Sequence, residues 1–170
     1  YDGIETDIQE TEHTLDILER SKPELIKFEE LDFNLGERWI PMSYYNDFFR
    51  NFLGMDKFKL EYIPAEDAFH IEMDWNYKIS REWEVQGRNS TIECKDVFNA
   101  ALVNNVPDVY YTTYNSQGDK IKVKDTDAMQ LCAAKIETIR NAFEDWLTNL
   151  PIERKDALVQ LYNERFNCFV

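Results

Sequence analysis

The sequence TDAMQLCAAKIETIRNAFEDWLTNLPIERKDALVQLYNERFN, residues 126–167, decides the fold of this chain. Apolar side chains recur in its first part at steps of three and four residues, which places them on one face of a helix: Leu131, Cys132, Ile136, Ile139, Phe143, Trp146 and Leu147. Pro151 can begin a second helix, because the first turn does not need its missing N–H. The same spacing follows at Ala157, Leu158, Leu161, Tyr162 and Phe166. We predict a helical hairpin over residues 126–170, whose apolar faces must cover earlier parts of the chain.

The composition indicates one folded, soluble domain. The chain has 170 residues, and its 44% hydrophobic and 14% aromatic content is too high for a disordered protein. No apolar run reaches the roughly 18 residues that a membrane helix needs, and the first residues lack a secretory leader pattern. We therefore expect no membrane partner and a cytoplasmic location. The three cysteines, Cys94, Cys132 and Cys168, are far apart and predict neither a disulfide framework nor a zinc site.

The charge balance restricts the classes of partner. The 33 acidic and 19 basic residues give a net charge of −14, the wrong sign for a protein that grips phosphates over its whole surface. A well-solvated surface is the simplest use of this acidity. An alternative is an acidic interaction domain that docks on a basic partner or mimics DNA.

The N-terminal half combines helices with strands. Residues 1–34 are predicted to form a helical extension, with an amphipathic helix over residues 5–20. Residues 35–125 are predicted to hold an aromatic helix and a sheet. The helix begins at Pro41 and ends at Gly54, and helical spacing makes its rings a core face: Tyr44, Tyr45, Phe48, Phe49, Phe52 and Leu53.

Alternating patterns predict the strands. The stretches FKLEYI and FHIEM alternate apolar and polar residues around a PAED turn, so they should pair antiparallel. We expect a loop over residues 76–80, a third strand over 82–85, a helix over 91–104 and a fourth strand over 109–114. A turn at residues 115–119 then leads into KIKVK, residues 120–124. The prediction is an α+β fold with an antiparallel sheet of about four to five strands covered by helices.

One concentrated basic face stands out in this acidic chain. Lys120, Lys122 and Lys124 alternate along the last predicted strand and therefore point to the same side. We identify these lysines as the candidate DNA contact.

Motifs for catalysis and cofactor binding are not found in the sequence. The five glycines form neither a nucleotide-binding GxxxxGK[ST] loop nor a GxGxxG turn. His70-Ile71-Glu72 has the HxE spelling of zinc deaminases without the PCxxC ligands, and alternation places it on a strand surface. We assign no catalytic, cofactor-binding or metal residues to this segment, and a hydrolase that uses clustered carboxylates is kept as a remote alternative.

Two separated motifs resemble a known family. The first is LGERWIP, which includes Leu35, Gly36, Trp39 and Pro41. The second is the closing pattern of Lys135, Ile139, Phe143, Trp146, Arg154, Leu158, Tyr162, Asn163, Phe166 and Asn167. Together they resemble the region just upstream of the helicase domain in large DNA methyltransferase/helicase proteins of bacterial phages and mobile elements, whose helicase belongs to the Swi/Snf-like superfamily two.

The resemblance implies that this chain is a segment of a larger polypeptide. ATP-dependent helicase activity, and adenine methylation with S-adenosylmethionine, would then belong to other parts of the parent protein, and the segment itself would need no cofactor. Its partners would be the helicase and methyltransferase domains of the same polypeptide, with DNA as a weaker partner. The implied function is a non-catalytic accessory and coupling domain in mobile-element DNA processing or restriction-modification.

Overall fold

A computed structural model describes residues 24–167 of the chain. The helix predicted over residues 5–20 lies outside the described residues. The chain divides into two compact units. The larger unit spans residues 33–150, and the described residues of the smaller unit are 24–32 and 151–167.

The described residues form an α+β fold, as the sequence predicts. The larger unit contains the helices α1 (Met42–Leu53), α2 (Tyr77–Trp83), α3 (Cys94–Val103) and α4 (Thr126–Thr148). Its strands are β1 (Phe58–Ile63), β2 (Ala68–Met73), β3 (Val85–Gln86), β4 (Thr91–Ile92), β5 (Tyr110–Tyr114) and β6 (Lys120–Lys124). The smaller unit contains a 3-10 turn (Phe28–Glu30) and the helix α5 (Ile152–Phe166).

The predicted sheet of four to five strands is wrong. The strands form three separate antiparallel pairs, β1–β2, β3–β4 and β5–β6. The outer edge of β2 is occupied by a side chain, because Asn99 accepts a hydrogen bond from the Ile71 amide (2.8 Å) and donates one to the Ile71 carbonyl (3.0 Å). This contact satisfies backbone groups that another strand would otherwise pair with.

The segment between β2 and α3 also differs from the prediction. Residues 76–80, predicted as a loop, begin α2, because the Asn76 side chain accepts hydrogen bonds from the amides of Lys78 (3.0 Å) and Ile79 (3.2 Å). The predicted strand over residues 82–85 is consequently reduced to β3, which starts at Val85. The helix predicted over residues 91–104 begins only at Cys94, because Thr91 and Ile92 pair with β3.

The core of the larger unit is aromatic and centres on α1. Tyr45, Phe48, Phe49, Phe98 and Phe143 are each no more than 1% exposed. The ring centroids of Phe48 and Phe143 are 5.1 Å apart in an edge-on arrangement that favours aromatic pairs. Tyr45 donates a hydrogen bond to the Glu37 carbonyl (2.6 Å), and burial raises the pKa of its hydroxyl. Four of the six residues predicted for the core face of α1 are therefore buried, namely Tyr44, Tyr45, Phe48 and Phe49, while Phe52 and Leu53 are half-buried.

Most of the apolar face predicted for α4 is buried. Cys132, Ile136, Ile139, Phe143 and Leu147 are between 0% and 4% exposed. Trp146 is half-buried, and Leu131 is 55% exposed. The two neighbours Leu131 and Cys132 lie about 100° apart around the helix, so the burial of one turns the other toward solvent.

The buried face of α5 is narrower than the predicted apolar face. Leu158 is fully buried, but Ala157 is exposed and Phe166 is 54% exposed. The other buried residue of this helix is polar: Asn163 holds the backbone of Ile26, accepting from its amide and donating to its carbonyl, each at 3.0 Å. Helices α4 and α5 therefore exist where the sequence predicts them, although they belong to different compact units.

Candidate nucleic-acid interface

The β5–β6 hairpin is shaped by a polar turn. The Asn115 side chain accepts hydrogen bonds from the amides of Gln117 (3.0 Å) and Asp119 (2.8 Å). Gly118 adopts a φ of +82°, a backbone conformation in which a side chain would be strained. These contacts fix the loop length and thereby the register of the two strands.

The register places three lysines opposite three hydroxyl-bearing residues. Lys120 pairs with Tyr114, Lys122 with Thr112, and Lys124 with Tyr110. Because directly opposed residues in an antiparallel ladder point to the same side, all six side chains lie on one face. We call this surface the lysine–tyrosine face, defined by Lys120, Lys122, Lys124, Tyr110, Thr112 and Tyr114.

The lysine–tyrosine face is open to solvent. All three lysines are exposed, and Tyr114 is 70% exposed. The Lys122 ammonium lies 4.4 Å from the centre of the Tyr110 ring, a cation–π contact that orients both groups. Lys124 forms a surface ion pair of 3.6 Å with Asp108, which partly neutralises its charge. Lys120 and Lys122 are therefore the stronger candidates for binding an anion.

Asp125 connects this hairpin to the rest of the larger unit. Its carboxylate accepts hydrogen bonds from the amides of Arg88 (2.8 Å) and Ala128 (3.2 Å), and the second bond caps the start of α4. Its own amide donates to the Val109 carbonyl (2.7 Å) at the base of the hairpin. The hydrogen bond from the Arg88 amide is the main cause that lowers the pKa of Asp125 below its ordinary value.

The loop before β4 also supports the hairpin. The Asn89 side chain accepts a hydrogen bond from the Thr112 amide (2.8 Å), which occupies part of the outer edge of β5. The Arg88 guanidinium lies 4.4 Å from the centre of the Tyr111 ring, on the face opposite the lysines. The hairpin that carries the lysine–tyrosine face is thus stabilised by Arg88 on its opposite face and by Asn89 at the edge of β5.

This arrangement has the chemistry of a small single-strand binding surface. Exposed ammonium groups contact phosphates, and exposed aromatic rings stack on bases without regard to sequence. The lysines are identifiable from the sequence pattern, whereas Tyr110 and Tyr114 are missed by it. Counting outward from the Asn115 turn would have paired each tyrosine with a lysine.

The residues of the LGERWIP motif serve the core and a turn. Leu35 and Trp39 are buried, and Pro41 is the residue that precedes α1. Gly36 has a φ of +92°, and a Cβ at this position would lie 1.9 Å from the carbonyl oxygen of Leu102. These residues shape the backbone around α1.

The residues of the closing motif are spread over both units. Lys135 donates hydrogen bonds to the carbonyls of Glu82 and Glu84, each at 2.9 Å, while Phe143 and Trp146 lie at the aromatic core. In the smaller unit, Asn167 donates to the Glu24 carbonyl (2.6 Å) and to the Asn163 side chain (3.0 Å). The remaining members are half-buried or exposed: Arg154, Tyr162 and Phe166.

Comparison with known proteins gives one match. A protein-family model described as Domain of unknown function (DUF8437) matches residues 34–168, most of the chain. No curated protein and no solved structure matches this chain. Among residues 24–167, no helix has both the length and the apolar content to cross a membrane.

Proposed function

We propose that this chain, which belongs to the DUF8437 family, is a non-catalytic coupling domain of a large DNA-processing polypeptide. In this proposal the lysine–tyrosine face contacts single-stranded nucleic acid, and an ATP-dependent helicase motor lies elsewhere in the polypeptide. A DNA methyltransferase part that uses S-adenosylmethionine would also lie elsewhere. The setting is mobile-element DNA processing or restriction-modification in bacteria.

The observation that carries the proposal is the alignment of three exposed lysines with two tyrosines on one ladder. In a chain with a net charge of −14, nonspecific attraction to phosphate is weak, so a local basic face must supply the contact. The sequence resemblance to the region upstream of a superfamily-two helicase supports the coupling role.

A salt-dependent titration tests the nucleic-acid contact. We expect a fluorescently labelled oligodeoxythymidine to bind, with affinity falling about 7- to 20-fold between 50 and 200 mM salt if two or three phosphates are neutralised. Replacing Lys120, Lys122 and Lys124 together by Gln should remove this slope. Fluorescence anisotropy at the two salt concentrations measures both quantities.

Two controls separate this face from general charge effects. A triple Gln variant at the exposed residues Lys57, Lys78 and Lys95 changes the net charge equally but leaves the lysine–tyrosine face intact, and it should bind normally. Tyr114→Ala should weaken binding by at least about fivefold, since stacking is worth roughly 1–3 kcal/mol per base. Tyr114→Phe, which keeps the ring, should bind like the wild type.

Failure of the nucleic-acid contact has a defined meaning. If the folded protein binds no oligonucleotide, or binds it equally well without the three lysines, the DNA contact is wrong. Binding to a basic protein partner would then support the alternative of an acidic interaction or DNA-mimic domain. Coupling itself is tested in the parent polypeptide, where the triple Lys→Gln variant should lose DNA-stimulated ATP hydrolysis and keep the DNA-independent rate.

A further inference from the structure

A histidine and two glutamates meet on one face of the β1–β2 hairpin. Glu61 lies directly opposite His70 in the ladder, and Glu72 follows His70 by two residues, so all three share a face. One potential ligand atom from each residue lies within 4.8 Å of the other two. Ligand atoms around a tetrahedral ion are about 3–4 Å apart. Small side-chain rotations would therefore bring these three groups into coordinating positions.

The His70 ring has an unused nitrogen. Its Nδ1 atom is buried and has no hydrogen-bond partner within residues 24–167. Buried ring nitrogens in proteins are normally bonded to a donor, an acceptor or a metal ion. When the ring proton is on Nε2, the lone pair of Nδ1 has no partner among the described residues, and a metal ion would supply one.

We propose that Glu61, His70 and Glu72 bind a divalent transition-metal ion such as Zn²⁺ or Mn²⁺. One imidazole and two carboxylates form a mixed nitrogen and oxygen ligand set, which suits Zn²⁺ and Mn²⁺. In contrast, Ca²⁺ prefers ligand sets made of oxygen alone, and soft metals prefer thiolates. The ion links β1 to β2, because Glu61 comes from one strand and the other two ligands from its partner.

The surroundings leave the ion accessible. His70 and Glu72 also line a groove of about 710 Å³, whose other charged lining residues are Asp56, Asp74, Asp96, Lys57, Lys59 and Lys95. Three protein ligands leave at least one coordination position for water or a small anion. Lys59 lies opposite Glu72 in the ladder, so its positive charge is on the same face and opposes the binding of a cation there.

Calorimetric titration of the full chain with ZnCl₂ and, separately, MnCl₂ tests the site. We expect one ion per chain, with affinity reduced at least tenfold in His70→Gln and in the double variant Glu61→Gln/Glu72→Gln. Lys59→Gln should bind the ion more tightly, because the competing charge is gone. The matched controls are His13→Gln, at the other histidine of the chain, and Glu66→Gln, at an exposed residue of the β1–β2 turn; both should bind like the wild type.

A spectroscopic readout identifies the ligand directly. The chain has two histidines, so imidazole ¹⁵N resonances can be assigned with the His13→Gln variant, and Zn²⁺ should shift the His70 ring signals. The Gln variants must first show wild-type near-ultraviolet circular dichroism. Absence of binding by the wild type, binding unchanged in folded His70→Gln, or unshifted His70 signals at saturating Zn²⁺ would each overturn the site. None of these outcomes depends on the lysine–tyrosine face.

Discussion

At the scale of single residues, Gly36 is required by a contact with a segment that is distant in the sequence. Glycine tolerates a positive φ better than other residues, and Gly36 has a φ of +92°. The carbonyl of Leu102, at the end of α3, lies so close that no side chain fits between them. The Arg140 guanidinium joins the same two segments by donating to the Leu35 and Ala101 carbonyls, each at 2.9 Å.

Gly36→Ala should therefore destabilise the protein strongly. We expect a loss of at least about 2 kcal/mol in the free energy of unfolding, from the positive φ and from the displacement of the Leu102 backbone. Gly54→Ala is the matched control, because Gly54 also has a positive φ (+66°) but no atom lies within 4 Å of the place that a Cβ would take there. It should lose only about 1 kcal/mol. Urea denaturation followed by circular dichroism measures the difference, and equal losses would contradict the close approach.

At the scale of elements, asparagine side chains occupy the outer edges of two of the three strand pairs. Asn99 bonds the free edge of β2 at Ile71, and Asn89 bonds the edge of β5 at Thr112. Neither amide has a sequence signature that distinguishes it from a surface asparagine, since its backbone partner lies more than twenty residues away. The division into three small sheets consequently could not be predicted from alternating patterns alone.

Asp125 lies between β6 and α4, and its carboxylate accepts hydrogen bonds from the Arg88 and Ala128 amides. These hydrogen bonds predict that the stability of the protein depends on pH. The pKa of Asp125 in the folded chain lies below the ordinary value of 3.8, so the unfolded chain binds the proton more tightly. The stability that this carboxylate contributes is present above about pH 4 and is lost as the pH falls through the folded pKa.

The variant Asp125→Asn should show this directly. Asparagine keeps one acceptor oxygen and cannot accept from both the Arg88 and the Ala128 amides as the carboxylate does. We expect the variant to be less stable than the wild type at pH 7, with the difference shrinking at pH 3. Urea midpoints at the two pH values measure it, and Asp127→Asn at an exposed neighbour is the control. A difference that does not change with pH would refute the assignment.

At the scale of the whole molecule, the aromatic core lies entirely within the larger unit. Tyr45, Phe48 and Phe49 from α1 meet Phe98 from α3 and Phe143 from α4, and all five fall within residues 33–150. Because these buried rings supply much of the apolar area removed from water, the larger unit contains its own source of stability.

A fragment of residues 33–150 should therefore fold by itself. We expect cooperative urea unfolding and the near-ultraviolet circular dichroism of packed aromatic side chains. A fragment of residues 33–125 lacks α4 and with it Phe143, so it should lose both signals. If the longer fragment is unfolded, the two units are not independent, and if the shorter one folds, α4 is not needed for the core.

The sequence by itself determined the elements whose signals are local. Helical spacing located α1, α4 and α5, alternation located β1, β2 and β6, and the same alternation put Lys120, Lys122 and Lys124 on one side. These features depend on residues within one or two turns of each other, so periodicity is sufficient to predict them.

Only the tertiary structure decided which elements that are distant in the sequence meet. It kept the strands in three separate pairs and brought the Arg140 guanidinium to the Leu35 and Ala101 carbonyls. Such contacts depend on strand register and on side chains far away in the chain, such as Asn99 at the edge of β2. Composition and periodicity do not predict these long-range contacts. One sequence pattern is compatible with several registers and partners, and packing of the core determines which of them is formed.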